Sequence, residues 1–271
     1  MSNWIIPTIQ AGVQVVKHKN EIQTLWDKFL NIFAPKTRIV VTGMPGVGKT
    51  VLFDYILEKA YGRDYTRPWT SEQAEKGVVK LKGKSLDFVV VPGQQQSPRL
   101  DAESLLINKT PPDGIIHLFA NGYANVRNEI IQKSLIERGI DNLEKIKAEN
   151  LQEELEDFKR TCELIKRIYS IHQKPKWIVL VANKVDLYAD SLSLREAQNR
   201  YTNNSEIITE INNLVNTIGR SNIRWQSFYV CSRLEAFEWN KQRHMLAIVD
   251  ENQRDEILKN FLNQIINYCS G

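Results

Sequence analysis

Short continuous apolar runs alternate along this chain with longer stretches whose apolar residues recur every three or four positions. Arg38-Ile-Val-Val-Thr42 is a run of strand length, and Val51 to Tyr61 carries helical spacing. Gly77 to Leu81 and Leu86 to Val91 read as two strands joined by a turn around Gly83. Gly114 to Ala120, Trp177 to Ala182 and Gln226 to Cys231 are three further runs. Unbroken apolar runs mark strands covered on both faces, whereas alternating runs mark strands with one face in water. The pattern predicts an α/β domain: a mostly parallel sheet with helices on both faces.

Two helices are marked in detail. Ser205 is a suitable N-cap; Ile207, Ile208, Ile211, Leu214, Val215 and Ile218 then share one face, and Gly219 is a suitable terminator. Asp141-Asn-Leu-Glu144 has capping-box spacing and predicts a second helix start. Beyond it Leu151, Leu155, Phe158, Cys162, Ile165 and Tyr169 alternate by four and three, like a coiled-coil seam. Two readings stand: a crossover helix packed on the sheet, or a docking face for another protein or a second copy of this chain. Residues 1–36 precede the first core strand. In them Ile22, Leu25, Trp26, Phe29, Leu30 and Phe33 recur at helical spacing, as a helix packed on the domain or as a nucleotide-responsive lever. The division expected is a helical extension over 1–36 and a core domain over 37–271, with a helical insertion at about 125–172.

Composition narrows the choice. The apolar fraction of 42% suffices for a buried core. Lys and Arg exceed Asp and Glu by 36 to 32, too slight an excess to imply a nucleic-acid partner without a clustered basic stripe. Cys162, Cys231 and Cys269 lie far apart and form no zinc or disulfide pattern, which predicts a reducing, cytoplasmic setting. The histidines share no spacing with acids or cysteines and read as ordinary surface or core residues; Trp225 and Trp239 read as packing residues. No apolar run reaches the ~18 residues of a membrane span. Neither a signal peptide nor a lipidation signal is legible at the ends, so no membrane anchor is expected.

The strongest chemical signal is Gly43-Met-Pro-Gly-Val-Gly-Lys-Thr50, the G-x-x-x-x-G-K-[ST] phosphate loop between a strand and a helix. Backbone N–H groups from Gly43, Pro45's neighbours, Gly46, Val47, Gly48 and on to Val51 would face phosphate at a helix N-terminus. Lys49 brings a cation to the β/γ oxygens, and Thr50 a hydroxyl for Mg²⁺. The base is chosen elsewhere. Asn183-Lys-Val-Asp186 follows a strand; the Asp186 carboxylate can accept from both N1–H and the amine of guanine, where adenine offers the opposite pattern. Asn183 would tie this loop to the phosphate loop, and the stem of Lys184 would cover the base.

The order phosphate loop, hairpin, Pro-Gly-Gln, strand, N-K-x-D, strand, Cys231-Ser232-Arg233 resembles the Ras/Arf-type small GTPases over roughly residues 37–268. The resemblance implies a Ras-like G domain that binds GTP/GDP with Mg²⁺. It implies that the Ser232 N–H meets the guanine oxygen, with Arg233 beside it. Val90 to Gln94 matches the family's D-x-x-G-Q only in Gly93 and Gln94: Gly93 would contact the γ-phosphate and Gln94 would orient water. Val90 stands where the family has the Asp that holds Mg²⁺ through water, and Asp87 lies on the opposite strand face. The Val-Pro-Gly-Gln string is similar to the bacterial gliding-motility, MglA-type branch. Thr66 and Thr70 qualify as the switch threonine; Thr70 suits the spacing to Gly93 better and would join Thr50 at the metal. Arg67 three residues before it resembles the arginine that acts in cis in heterotrimeric G-protein α subunits.

Two functions follow. One is a switch that hydrolyses GTP through Gln94, Arg67 and Lys49 and signals to effector and regulatory proteins, with a homodimer or partner contact through the insertion. The other is a nucleotide-loaded binding module with little catalysis. Gln94 favours the first and Val90 the second; an ATPase is opposed by Asp186.

Overall fold

The computed structural model describes residues 18–33, 37–61, 76–81, 84–91, 97–244 and 250–270. Six strands form one sheet in the order β2-β3-β1-β4-β5-β6. They are β1 (Arg38–Thr42), β2 (Lys76–Leu81), β3 (Lys84–Val90), β4 (Gly114–Phe119), β5 (Trp177–Ala182) and β6 (Arg224–Tyr229). Only β2 runs antiparallel, against β3; the remaining pairings are parallel. The expected mostly parallel sheet is therefore present, each strand within two residues of its apolar run. The turn at Gly83 lies outside the described residues.

The strands sort their side chains between two cores. Ile39, Val41, Ile116, Leu118, Val179 and Val181 belong to one. Val40, Ile115, Phe119, Ile178 and Leu180 belong to the other. Strand side chains alternate between the faces, so a run apolar at every position needs a cover on each side.

The first face carries α1 (His18–Phe33), α2 (Lys49–Tyr61) and α8 (Glu251–Ser270). Ile22, Leu25, Trp26 and Phe29 of α1 are buried there against α2 and α8. Of the two readings of this helix, packing on the domain is the one observed; Leu30 and Phe33 fall outside the described side chains.

The opposite face carries α3 (Ser97–Asn108), α5 (Leu143–His172), α6 (Ser191–Thr202) and α7 (Glu206–Ile218). Helix α7 is capped by Ser205, whose hydroxyl accepts from the Ile208 N–H at 3.2 Å, and all six of its foreseen core residues are buried. Helix α5 starts one residue later than the capping-box reading. Asn142 is the N-cap and accepts from the Lys145 N–H at 2.9 Å, while Asp141 pairs with the Lys145 ammonium at 2.8 Å. The lysine side chain reaches back to Asp141, so the shorter-range Asn142 amide takes the cap. Leu155, Phe158, Cys162, Ile165 and Tyr169 are buried in the chain's own core. The docking-face reading of this seam is thereby corrected: the seam is the inner face of a crossover helix.

The rest of the insertion is α4 (Glu129–Glu137), which buries no residue. A small hairpin, β7 (Phe237–Trp239) and β8 (Gln242–His244), stands near it and inserts Trp239 into the core. His117 is also core, with its Nδ1 at 2.8 Å from the Thr42 hydroxyl.

Candidate nucleotide site

The site forms at the carboxyl ends of β1, β4, β5 and β6, where a parallel sheet delivers its loops to one edge. After β1 the chain makes the loop Gly43–Gly48, with positive φ at Gly43, Gly46 and Gly48 (131°, 77° and 94°). Such angles turn successive N–H groups inward ahead of a helix. All three glycines are also required by space: a Cβ at Gly43 would stand 2.5 Å from the Leu118 carbonyl oxygen. A Cβ at Gly46 would stand 1.9 Å from the Asn125 amide oxygen, and one at Gly48 would stand 2.5 Å from the Asn183 amide nitrogen. Lys49 opens α2 and folds back over the loop, its ammonium donating to the Gly43 and Met44 carbonyls at 2.6 and 3.1 Å.

The segment after β5 is locked onto this loop. Asn183 donates from Nδ2 to the Val47 carbonyl at 2.9 Å, and its Oδ1 accepts from the Ser232 N–H at 3.2 Å. One buried amide thus bridges three loops, as its position in the motif foretold for two of them. The Ser232 N–H, expected to meet guanine, is engaged by Asn183 here; the amide is nearer than the open cleft and fully buried, so it claims the donor.

Lys184 takes a left-handed conformation (φ 63°), and its ammonium donates to the Tyr123 carbonyl at 2.6 Å. Burial, then the neighbouring Arg127 charge, push its pKa down to about 7. Asp186 sits in the short 3-10 turn Val185–Leu187 with 0% exposure. Its Oδ2 is held in an ion pair by the Arg127 guanidinium. Its Oδ1 carries no hydrogen bond of ordinary geometry, although the Glu235 backbone and the Cys231 thiol lie near enough to act on its ionisation. Burial pushes the Asp186 carboxyl up, and Arg127 opposes that rise.

Arg127 is a residue that sequence reasoning missed. Its Nε also donates to the Glu235 carbonyl at 2.9 Å, and its NH2 to the same oxygen at 2.6 Å. It comes from the segment after β4, which α5 holds in place. Buried Glu154 accepts from the Ala120 and Gly122 N–H groups at 3.0 and 3.1 Å, and Asn150 donates to the Gly122 and Ala124 carbonyls at 2.8 and 2.9 Å. Burial raises the Glu154 pKa to about 7 against those hydrogen bonds.

Together these elements line a cleft of about 360 Å³. Gly46, Gly48, Lys49, Thr50, Val51, Lys184, Ser232 and Arg233 were foreseen in it; Asn125, Arg127 and Asn128 were not. Gly43, Pro45 and Val47 shape the loop behind, and Asn183 and Asp186 lie beneath the surface. Val90 ends β3 opposite Val41, at the phosphate-loop end of the sheet. Asp87 lies in mid-strand, in backbone register with Arg38 and three residues short of Val90, so register places it away from the phosphate-loop end. Thr66, Arg67, Thr70, Gly93 and Gln94 lie outside the described residues.

A family model described as 50S ribosome-binding GTPase matches residues 38–184, more than half of the chain. No curated protein matches the sequence. Among solved structures, a dimerization-deficient mutant of Toc33 from Arabidopsis thaliana is similar at 13% identity and a TM-score of 0.47, covering 94% of this chain and 93% of its own. An ADP ribosylation factor-like GTP-binding protein, the small COPII coat GTPase SAR1 from Encephalitozoon cuniculi in complex with GDP, is similar at 14% identity and a TM-score of 0.37, covering 94% and 92%.

Proposed function

This chain belongs to the GTPase family whose model is described as 50S ribosome-binding GTPase, and from that premise we propose that it is a guanine-nucleotide switch of the Ras/Arf type that hydrolyses GTP to GDP. The observation that carries the reading is the Asn183 bridge. It holds the phosphate loop and the base-reading turn in one rigid unit, with a fully buried carboxylate at Asp186. A buried carboxylate with an unpartnered oxygen suits a base edge bearing two donors, which guanine has and adenine lacks.

At the other end of the cleft, the loop N–H groups and the α2 N-terminus attract phosphate. Lys49 brings its ammonium to the β/γ oxygens. Thr50 lines the cleft beside Lys49; in this reading its hydroxyl would hold Mg²⁺, with Thr70 as the second ligand. Mg²⁺, when bound, supplies positive charge against the phosphate oxygens. Gln94 orients the attacking water, Gly93 contacts the γ-phosphate, and Arg67 brings further positive charge in cis. Partner proteins in a reducing, cytoplasmic setting read the state of those switch segments. The Val90–Gln94 string puts the chain nearest the MglA-type branch in our reading.

A second reading is a nucleotide-loaded interaction module with little turnover. It is favoured by Val90, which puts an apolar residue at the phosphate end of β3 where the family has Asp. Single-turnover GTP hydrolysis with the full chain separates the two. The switch reading expects measurable cleavage that Gln94→Leu removes while GTP binding persists. Tight GTP binding with no cleavage above the nucleotide's own rate, with and without added Mg²⁺, establishes the module instead.

A further inference from the structure

Arg127 occupies the position in which the proposed function seats the guanine base. A guanidinium presents planar N–H donors in a fixed fork. The N1–H and amine edge of guanine presents the same kind of donor pair to a carboxylate. In this structure Arg127 donates to Asp186 and to the Glu235 carbonyl, and Arg127, unlike Asp186, lines the cleft. The match is incomplete in one respect: Asp186 Oδ1 stays without a hydrogen bond. A base edge with two donors would satisfy both oxygens.

We propose that Arg127 is a built-in competitor for the base site, which guanine must displace to bind, so that it sets the rate and affinity of nucleotide loading. The inference rests on the guanine-nucleotide reading above and adds to it a means of regulation.

The displaced side chain has somewhere to go. Arg127 stands on the wall between two clefts. The second, of about 580 Å³ between α4 and the β7–β8 hairpin, is lined by four glutamates, Glu129, Glu137, Glu235 and Glu238, against two lysines, Lys133 and Lys241, besides Arg127 itself. The Glu235 carboxylate already lies 3.9 Å from Arg127 Nε. A guanidinium leaving Asp186 therefore enters a cleft with a net acidic lining, where renewed solvent contact and the glutamates offset part of the lost buried ion pair. The backbone need not follow. Val126 is buried and Asn128 caps α4 by accepting from the Ile130 and Ile131 N–H groups, so the motion is one of side-chain rotation. Lys184 gains from the exchange, because the Arg127 charge that opposes its own moves away. Base occupancy is thereby converted into a change of charge in the α4–hairpin cleft.

If the latched form outnumbers the open one, apparent affinity falls by the open fraction. The test is stopped-flow binding of fluorescently labelled GDP to the full chain and to Arg127→Ala. The expected result is faster association and an affinity tighter by about tenfold, which corresponds to an open fraction of about one in ten. The gain should vanish when Asp186→Asn is combined with it, since the latch then has no anchor to lose. Arg127→Ala leaves a buried carboxylate unpaired; if it does not fold, Arg127→Gln, which keeps one N–H donor without the charge, is expected to move both quantities in the same direction. Unchanged or weaker GDP binding by a folded Arg127 variant overturns the latch while leaving the guanine site standing. Absence of GDP and GTP binding by both the parent and the variant, each folded by circular dichroism, overturns the guanine reading itself and the latch with it.

Discussion

The two ends of the cleft are built differently. The phosphate end is made from one continuous piece of chain, Gly43 to Val51, whose backbone supplies the chemistry and whose glycines are fixed by angle and space. The base end is assembled from three separate loops: Asp186 from the turn after β5, Glu235 from the loop after β6, and Arg127 from the segment after β4. The first end offers a phosphate cradle whose lysine donates to its own loop carbonyls. The second is already engaged by a side chain of the protein. Affinity thus originates at one end and selection at the other; the phosphate end rests on hydrogen bonds within its own loop, from Lys49 to Gly43 and Met44, whereas the selecting end is held by a side chain from a separate loop.

The largest effect is expected at the phosphate end. Lys49→Ala removes the ammonium proposed to meet the β/γ oxygens and should abolish tight binding of GDP and GTP alike. Titration calorimetry checks this, and unchanged GDP affinity would remove the phosphate-loop reading. At the base end, Asp186→Asn should weaken guanine nucleotides by about 2–3 kcal/mol through loss of charge-assisted hydrogen bonds. It should strengthen xanthine nucleotides, which carry a carbonyl where guanine has its amine. Its effect should be smaller in the parent than in Arg127→Ala, since in the parent it also weakens the latch.

The support behind the base end titrates. The Glu154 pKa is raised from 4.5 to about 7 on folding, so the folded state binds the proton more tightly than the unfolded chain. Its protonated form is therefore favoured: the Glu154 contribution to stability is fully present below pH 4.5 and is lost as pH rises through 7, by up to about 3 kcal/mol. Glu154→Gln should flatten that part of the profile in urea melts at several pH values. Lys184 acts in the opposite sense, since its lowered pKa makes stability rise between about 7 and 10.5. A smaller loss, about 1–3 kcal/mol, is expected for Asn150→Ala, which leaves the buried Gly122 and Ala124 carbonyls without their donor. A thermal melt unchanged by it would show that α5 does not brace the segment carrying Arg127.

The same division decided what could be read from the sequence. The sheet and the phosphate loop were legible because apolar runs and glycines state backbone requirements residue by residue. The role of Asn183 was legible because it is fixed by a four-residue motif. Arg127 was not: it lies 59 residues from Asp186 and belongs to no motif, and an isolated arginine in a loop has no pattern to set it apart. The nearest hint was the run Asn121-Gly-Tyr-Ala-Asn125, whose turn formers take positive φ at Asn121, Gly122 and Asn125 and bend the chain back over the cleft. The β7–β8 hairpin was missed for a related reason. Its two-residue turn is Asn240-Lys241, both at positive φ, and lysine does not announce such a conformation as glycine does. The capping box at Asp141 misled by one residue because Asn142 was an equally good cap.

The most direct test of the guanine reading is an equilibrium competition between GDP and ADP for the full chain. Both nucleotides satisfy the phosphate loop equally, so any difference arises at the base end, where Asp186 is the proposed selector. The account predicts that ADP binds at least about 10²-fold more weakly than GDP, because the buried carboxylate faces the wrong edge of adenine. Equal affinities would contradict it.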